Sequence, residues 1–207
     1  YPTSNGISLL VDAGANADCK PQYLKQFALM GSIYTENVLG KKNPKVGLVN
    51  IGTEEGKGNQ LVKEAYELLK NEDLNFIGNV EGRNLPTGEV DVIVCDGFVG
   101  NVVLKLTEGM AITIFSILKK SLMSSTKTKI GASLIKSELS EIKKLMDYRE
   151  YGGAPLLGTR LPIVKAHGSS DAYAIKNAIR QLISFIDKDI IKLIENNMEQ
   201  NINKMEE

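Results

Sequence analysis

Asp91-Val92-Ile93-Val94-Cys95-Asp96-Gly97-Phe98-Val99-Gly100-Asn101 decides how the chain is read. An apolar, β-branched run of strand length ends at Cys95, turns through glycines, and gives way to helical periodicity from Val102. Glycine lets backbone amides turn inward with no Cβ in the way. A helix start adds unpaired amides and the positive end of its dipole. Asp96, Gly97 and Gly100 therefore stand where an anion such as phosphate binds. An ordinary βα connection fits the same residues.

The design recurs upstream. Residues 45–51 read as a second buried parallel strand, ending in Gly52-Thr53-Glu54-Glu55-Gly56-Lys57-Gly58-Asn59 ahead of a helix over 60–69. In that helix Leu61, Ala65, Leu68 and Leu69 share a face that packs on a sheet. The loop resembles a nucleotide P-loop but is one residue short, and Gly58 stands where Ser or Thr would hold magnesium, which rejects ATP or GTP. Phosphate held by the Gly52 amides and Lys57 is one reading. A solvated lysine in a polar turn is the other.

The 207 residues are 43% apolar, 24% charged and neutral overall, the make-up of an α/β globule of one domain, or one with an appendage. Balanced charge argues against a nucleic-acid surface. Cys19 and Cys95 are too few and too isolated for a disulfide framework, and with a single histidine a zinc centre is excluded. Cys95 closes a strand and reads as core. The sequence shows no signal peptide and no apolar run judged long enough to span a bilayer, so a cytoplasmic protein is expected.

Along the chain, a strand over 7–11 leads through Asp12-Ala13-Gly14-Ala15-Asn16 to a helix over 21–38, which opens on Pro21, a residue suited to a first turn. A short strand over 75–79, a polar loop with Glu81-Gly82-Arg83, and the strand over 91–95 follow. This βαβαβ order implies a parallel sheet with right-handed crossovers, ligands sitting beyond the carboxyl ends of its strands. The loops at Asp12, Gly52, Glu81 and Asp96 are expected to converge on one crevice.

From 102 to 148 the pattern predicts a helical hairpin projecting from the α/β body, its second helix over 134–146. Lysines around an apolar tip, about 119–135, suit a membrane surface. A dimerisation hairpin, or helices packed on the sheet, accounts for the same residues. Residues 151–158 are too glycine-rich to be regular. A strand over 162–165 leads to Ala166-His167-Gly168-Ser169-Ser170-Asp171 and a helix over 172–194. Ser169 or Ser170 is expected to cap that helix while the other faces the crevice, and the tail from Glu195 is expected to fray. A Ser-His-Asp hydrolase is disfavoured, since no Gly-x-Ser-x-Gly elbow exists.

Asp12-Ala13-Gly14-Ala15-Asn16, Asn50-Ile51-Gly52-Thr53-Glu54-Glu55 with Lys57-Gly58-Asn59, Glu81-Gly82-Arg83, Asp96-Gly97-Phe98-Val99-Gly100-Asn101, Tyr151-Gly152-Gly153-Ala154 and Lys165-Ala166-His167-Gly168-Ser169-Ser170 occur in that order. Together, over 9–185, they resemble the PlsX family of bacterial phosphate acyltransferases. The resemblance implies transfer of a fatty acyl group from long-chain acyl carrier protein to inorganic phosphate, giving acyl phosphate for phospholipid synthesis and a downstream acyl-phosphate-using acyltransferase. It implies a three-layer α/β/α fold with a mostly parallel sheet, similar to phosphate acetyltransferases and the isopropylmalate dehydrogenase group. It further implies a homodimer and peripheral membrane attachment through the hairpin. The family's initial strand and Asp-Ala-Met-Gly-Gly-Asp turn are not in this sequence, so the chain is expected to be a C-terminal portion, one domain incomplete at its start and inactive alone.

No cofactor is required, because phosphate held and aimed at the thioester attacks it directly. Asn101, Lys105, His167 and Ser169 are the catalytic candidates: Lys105 with the 97–101 amides to hold phosphate, Asn101, Ser169 and Ser170 as oxyanion donors, and His167 to assist the leaving thiolate. Asp96, Gly97, Gly100, Gly52, Glu54, Lys57, Asn16, Arg83 and Ser170 are the binding candidates. Two rivals stand: a coenzyme A-dependent phosphate acetyl- or butyryltransferase, and a non-catalytic scaffold for lipid-synthesis enzymes. A nicotinamide dehydrogenase is disfavoured by the lack of Gly-x-Gly-x-x-Gly.

Overall fold

A computed structural model describes residues 1–206. Its centre is a parallel sheet in the order β3 (Leu9–Val11), β6 (Val92–Val94), β4 (Val46–Asn50), β5 (Phe76–Glu81). Leu9 and Val46 both pair with Val92, so β6 is inserted between strands that precede it in sequence. The apolar runs read as buried strands are so: Val46, Leu48, Val92, Ile93 and Val94 are almost fully buried. Parallel strands buried on both faces need no polar alternation.

The two faces differ in depth. Val92 and Val94 point into a large core with Leu24, Phe27, Ala28 and Tyr34 of helix α1 (Pro21–Asn37) and with Ala65 and Leu69 of α2 (Gln60–Lys70). Ile93 points into a smaller core made with Val80, Leu85 and Val90, against which Val103 packs. Leu85 belongs to a 3-10 helix, Gly82–Thr87, where the sequence suggested only a loop. The sheet is thus the middle of three layers.

Helix α3 (Gly97–Leu122) leaves the small core after Val103 and runs on with exposed apolar residues. It is long and apolar enough to cross a bilayer by length and composition, which corrects the reading that no run reaches that length. Lys105 and Glu108 interrupt the run but pair with each other at 3.0 Å, and no further charge appears before Lys119. Two short helices follow, α4 (Thr126–Leu134) and α5 (Lys136–Leu145), in place of the single second helix expected. Ser125 and Thr128 form a reciprocal cap that starts α4, a signal hidden in a polar Ser-Ser-Thr-Lys stretch.

Residues 151–158 contain a strand after all. β7 (Gly153–Pro155) pairs antiparallel with β8 (Val164–Ala166), a ribbon apart from the four-stranded sheet. β1 (Pro2–Thr3) and β2 (Gly6–Ile7) form another two-stranded ribbon, so the strand expected over 7–11 is broken at Ser8, whose hydroxyl donates to the Val90 carbonyl. The last helix is also two. α6 (Ala172–Asp187) stops where Asp189 adopts a positive φ of 48°, and α7 (Ile190–Glu206) turns back along α1. Ile190 and Ile194 enter the large core and Met198 packs against it, so the helix runs on past Glu195, where fraying was expected. Glu207 lies outside the described residues.

Candidate active site

Because β3, β6, β4 and β5 are parallel, the loops after them leave from one edge. The helix after β3 lies on the large core and the helix after β6 starts on the small one. Between these neighbouring strands the chain therefore parts to opposite faces, the place where doubly wound sheets hold ligands. The loops meeting there are 12–16 and 96–101.

Asp12 organises the first. Its Oδ1 accepts from the amides of Gly14 and Ala15, both at 2.8 Å, and its Oδ2 from the amide of Asn16 at 2.7 Å and the Asn16 side chain at 2.8 Å. Burial disfavours the ionised carboxyl, but the bonds from Ala15, Asn16 and Gly14 outweigh it and hold the pKa below the ordinary carboxylate value. The nitrogen of Asn16, a binding candidate, is thus committed to this turn.

The second loop is locked onto the first. The Gly97 amide donates to the Asn16 carbonyl at 2.8 Å, the Asp96 carboxylate caps α3 by accepting from Val99 at 2.8 Å, and the Gly100 amide returns to the Asp96 carbonyl. The amides that the sequence offered to an anion are mostly bonded inside the protein. The glycines serve contact instead: a Cβ on Gly100 would lie 1.8 Å from the Asp12 carbonyl oxygen, and one on Gly97 would lie 2.6 Å from that of Asn16. Asn101 faces Gly14 across a gap that a Cβ on Gly14 would fill, 3.4 Å from the Asn101 Cβ. Cys95 lies beneath, and burial pushes its thiol far up, as a core cysteine requires.

The other two loops make a second pair along the same edge. The Asn79 side chain donates to the Glu54 carbonyl at 2.8 Å, and Asn50 donates to the Lys57 carbonyl at 3.0 Å, fixing residues 52–57 to the strand ends. Gly52 is buried under the Glu54 and Lys57 side chains, while Lys57 itself is exposed. Arg83 extends into solvent and ion-pairs with Glu81. Lys105 is bonded to Glu108, farther along α3 from Asn101.

The histidine turn is a third cluster, carried by the antiparallel ribbon rather than the parallel sheet. His167 Nδ1 meets Ser169 Oγ at 2.7 Å, the Ser169 amide donates to the same nitrogen at 3.2 Å, and the Ser170 amide donates to the His167 carbonyl at 3.0 Å. Neither serine caps α6. Asp171 does, accepting from the Ala174 amide at 2.9 Å, and that bond together with Arg149 lowers its pKa. Ser170 Oγ is buried with no hydrogen-bond partner among the described residues.

The edge thus carries asparagine amides and two exposed cations, and the histidine–serine turn stands on the separate ribbon. The family described as "Fatty acid synthesis protein" matches residues 1–193. The chain belongs to this family. It is 61% identical over 194 residues to a protein named phosphate acyltransferase of Alkaliphilus oremlandii, covering 94% of this chain and 58% of that protein. Proteins of the same name from Clostridium botulinum and Clostridium acetobutylicum are 58% and 55% identical over 197 and 199 residues, with 59% and 60% of their lengths covered. They correspond to 95% and 96% of this chain. The chain therefore spans about three fifths of the length of these curated relatives. The family drawn from the ordered motifs is the family that matches.

Two residues that organise the family's motifs here were not singled out from sequence. Asp12 carries the Gly14–Asn16 turn, and an Asp followed at short range by Gly and Asn is the signal of such a side-chain-capped turn. Arg149 joins Asp147 and Asp171, at 2.6 and 3.1 Å, and so ties the return of the hairpin to the start of α6.

Proposed function

We propose that this chain forms the larger part of a phosphate acyltransferase that moves a fatty acyl group from long-chain acyl carrier protein to inorganic phosphate. The observation that carries the reading is 61% identity, over nearly the whole chain, to a protein named phosphate acyltransferase. A phosphate oxygen attacks the thioester carbonyl carbon, the C–O bond forms as the C–S bond breaks, and the sulfur leaves with the electron pair. His167 supplies the proton or positive charge that this thiolate takes. Asn101, Ser169 and Ser170 donate to the oxyanion.

The bonding of the α3 amides shifts phosphate holding toward side chains: Lys57 and Arg83 at the edge, and Lys105 only after it leaves Glu108. Gly52, Glu54, Asn16, Asp96, Gly97 and Gly100 then shape the crevice rather than carry charge to the anion. The chain works as one α/β domain with the hairpin inserted over about 102–148. It acts as a cytoplasmic homodimer resting on the membrane through about 119–135, its acyl phosphate passing to an acyltransferase that makes phospholipid.

The test is release of carrier-protein thiol from long-chain acyl carrier protein, with and without inorganic phosphate, in a protein of the relatives' full length. Phosphate-dependent release is expected, and Asn101→Ala or His167→Ala should lower turnover about tenfold or more with the fold intact. Activity confined to coenzyme A thioesters would transfer the reading to a short-chain acyltransferase. Inertness toward both donors would leave a scaffold.

A further inference from the structure

Lys57 is held in place by two asparagines to which the acyltransfer reading gives no role. Asn50 ends β4 and Asn79 lies in β5, and they are only 8% and 7% exposed. Asn50 is fully bonded. Its Nδ2 donates to the Lys57 carbonyl at 3.0 Å, and its Oδ1 accepts from the Ile51 amide at 2.8 Å. Gly58 makes room for it, since a Cβ there would lie 2.5 Å from Asn50 Oδ1. Asn79 is half bonded. Its Nδ2 donates to the Glu54 carbonyl at 2.8 Å, while its Oδ1 is buried with no hydrogen-bond partner among the described residues.

The two bonded carbonyls frame one turn, because the Lys57 amide itself donates to the Glu54 carbonyl at 3.1 Å. The asparagines therefore grip the Glu54–Lys57 turn at its first and last residues. What the grip presents is the Lys57 ammonium, which has no carboxylate partner among the described residues.

Stability alone does not account for Asn79. A buried carbonyl oxygen without a donor weakens the fold, and an apolar side chain of similar shape would avoid that loss. The Glu54 carbonyl would still keep the Lys57 amide as its donor. A buried group that breaks the rule of polar satisfaction, and whose one bond goes to a site loop, marks a place where function outweighs stability.

We propose that Asn79 is a positioning residue for phosphate, fixing the Glu54–Lys57 turn so that the Lys57 ammonium is set for the anion. The proposal rests on the reading in which Lys57 holds phosphate at the crevice edge. Asn50, with both of its groups satisfied, is the structural member of the pair.

The test uses a protein of the relatives' full length and sets Asn79→Leu, Lys57→Met and the double variant beside the parent. Asn79→Leu should raise KM for inorganic phosphate about fivefold and leave kcat and KM for the acyl donor within about twofold. Its thermal midpoint should equal or exceed the parent's. Asn50→Leu, which strands the Ile51 amide and the Lys57 carbonyl, should lower it. In the Lys57→Met background, Asn79→Leu should raise the phosphate KM no further. An unchanged phosphate KM, a lowered thermal midpoint with every kinetic constant impaired in parallel, or effects that multiply in the double variant would each overturn the proposal.

Amide hydrogen exchange over residues 52–58, with inorganic phosphate or with chloride at equal ionic strength, separates this proposal from acyl transfer itself. Phosphate should slow exchange there, and Asn79→Leu should need about fivefold more phosphate for the same protection. A protein inert toward acyl donors that still shows this shift would overturn acyl transfer and uphold the proposal. An active protein whose phosphate protection is the same in parent and Asn79→Leu would overturn the proposal and leave acyl transfer standing. Inertness together with no phosphate effect on exchange would overturn both.

Discussion

The α/β body and the hairpin arm are built from equally apolar sequence, yet they use it in opposite ways. In the body, Leu69 is fully buried and Tyr34 is closed off by Phe185, their rings 6.1 Å apart. In the arm, Leu134 is 78% and Ile112 72% exposed. Apolar composition therefore locates a helix but says little about burial. What separates the regions is whether strands stand opposite. The body's helices cross over a sheet whose strands alternate between two cores, and the arm leaves that sheet after Val103. The joint is the tight contact of residues 12–16 with the first turn of α3.

The largest effect should come at that joint. Gly100→Ala drives a methyl group into the Asp12 carbonyl, with the Cys95 sulfur 3.0 Å away, so neither neighbour can yield as a flexible side chain would. Loss of about 4 kcal/mol or more, read as a shift in urea midpoint or as failure to fold, is expected. A stable Gly100→Ala protein would mean that the joint is loose and the contrast between body and arm overdrawn.

Packing comes next. Leu69→Ala empties a fully buried site between α2 and the sheet and should cost about 3 kcal/mol. Leu134→Ala, at an exposed site, should stay within about 0.5 kcal/mol. Equal losses would show that the arm is covered in solution, and the oligomeric state of the Leu134 variant would then identify a second copy as the cover.

Asp12 sharpens the comparison by pH. Its pKa is lower folded than unfolded, so its contribution is complete above the unfolded value of about 4 and is lost as pH falls through the folded one. Asp12→Asn keeps the size but removes the charge and leaves one acceptor oxygen where two now serve four donors, so two of the bonds are lost, at about 2 kcal/mol at neutral pH. The gap between the two proteins in urea midpoint should start to narrow below about pH 4 and close as pH falls through the lower, folded value. A gap that persists in acid would assign the effect to packing.

Much of the body was legible because burial on both faces writes itself as runs without polar alternation, as in Val46-Gly47-Leu48-Val49 and Val92-Ile93-Val94. The parallel order followed from strands alternating with helices. The arm's existence was legible too, from one apolar stripe followed by lysines. What failed had no periodic signal. Gly153-Ala154-Pro155 carries no side chain that marks a strand, and only the pairing with β8 makes it one. Ile186 and Ile190 continue the apolar spacing straight through the break at Asp189, where backbone conformation decides. At the site, position was readable and bonding was not. Gly97 and Gly100 are compatible with an anion cradle or with two loops in contact, and only the Asn16 and Asp12 carbonyls on the other side distinguish them. Asp171 displaces both serines as the cap because it is one residue nearer to α6.

Glycines in the arm supply the smallest and most discriminating test. Gly109 lies inside α3 and Gly131 inside α4, and a Cβ at either would meet nothing within 4 Å. Neither has the positive φ that would strain alanine. In an unpacked helix the remaining term is backbone entropy, which favours alanine by about 1 kcal/mol. Gly109→Ala and Gly131→Ala should therefore leave the fold unharmed and raise helix content or thermal midpoint slightly, opposite in sign to Gly100→Ala only nine positions from Gly109. Destabilisation at Gly109 would mean that another surface closes against this stretch of α3, and cross-linking from a cysteine placed at Ile112 would then trap it.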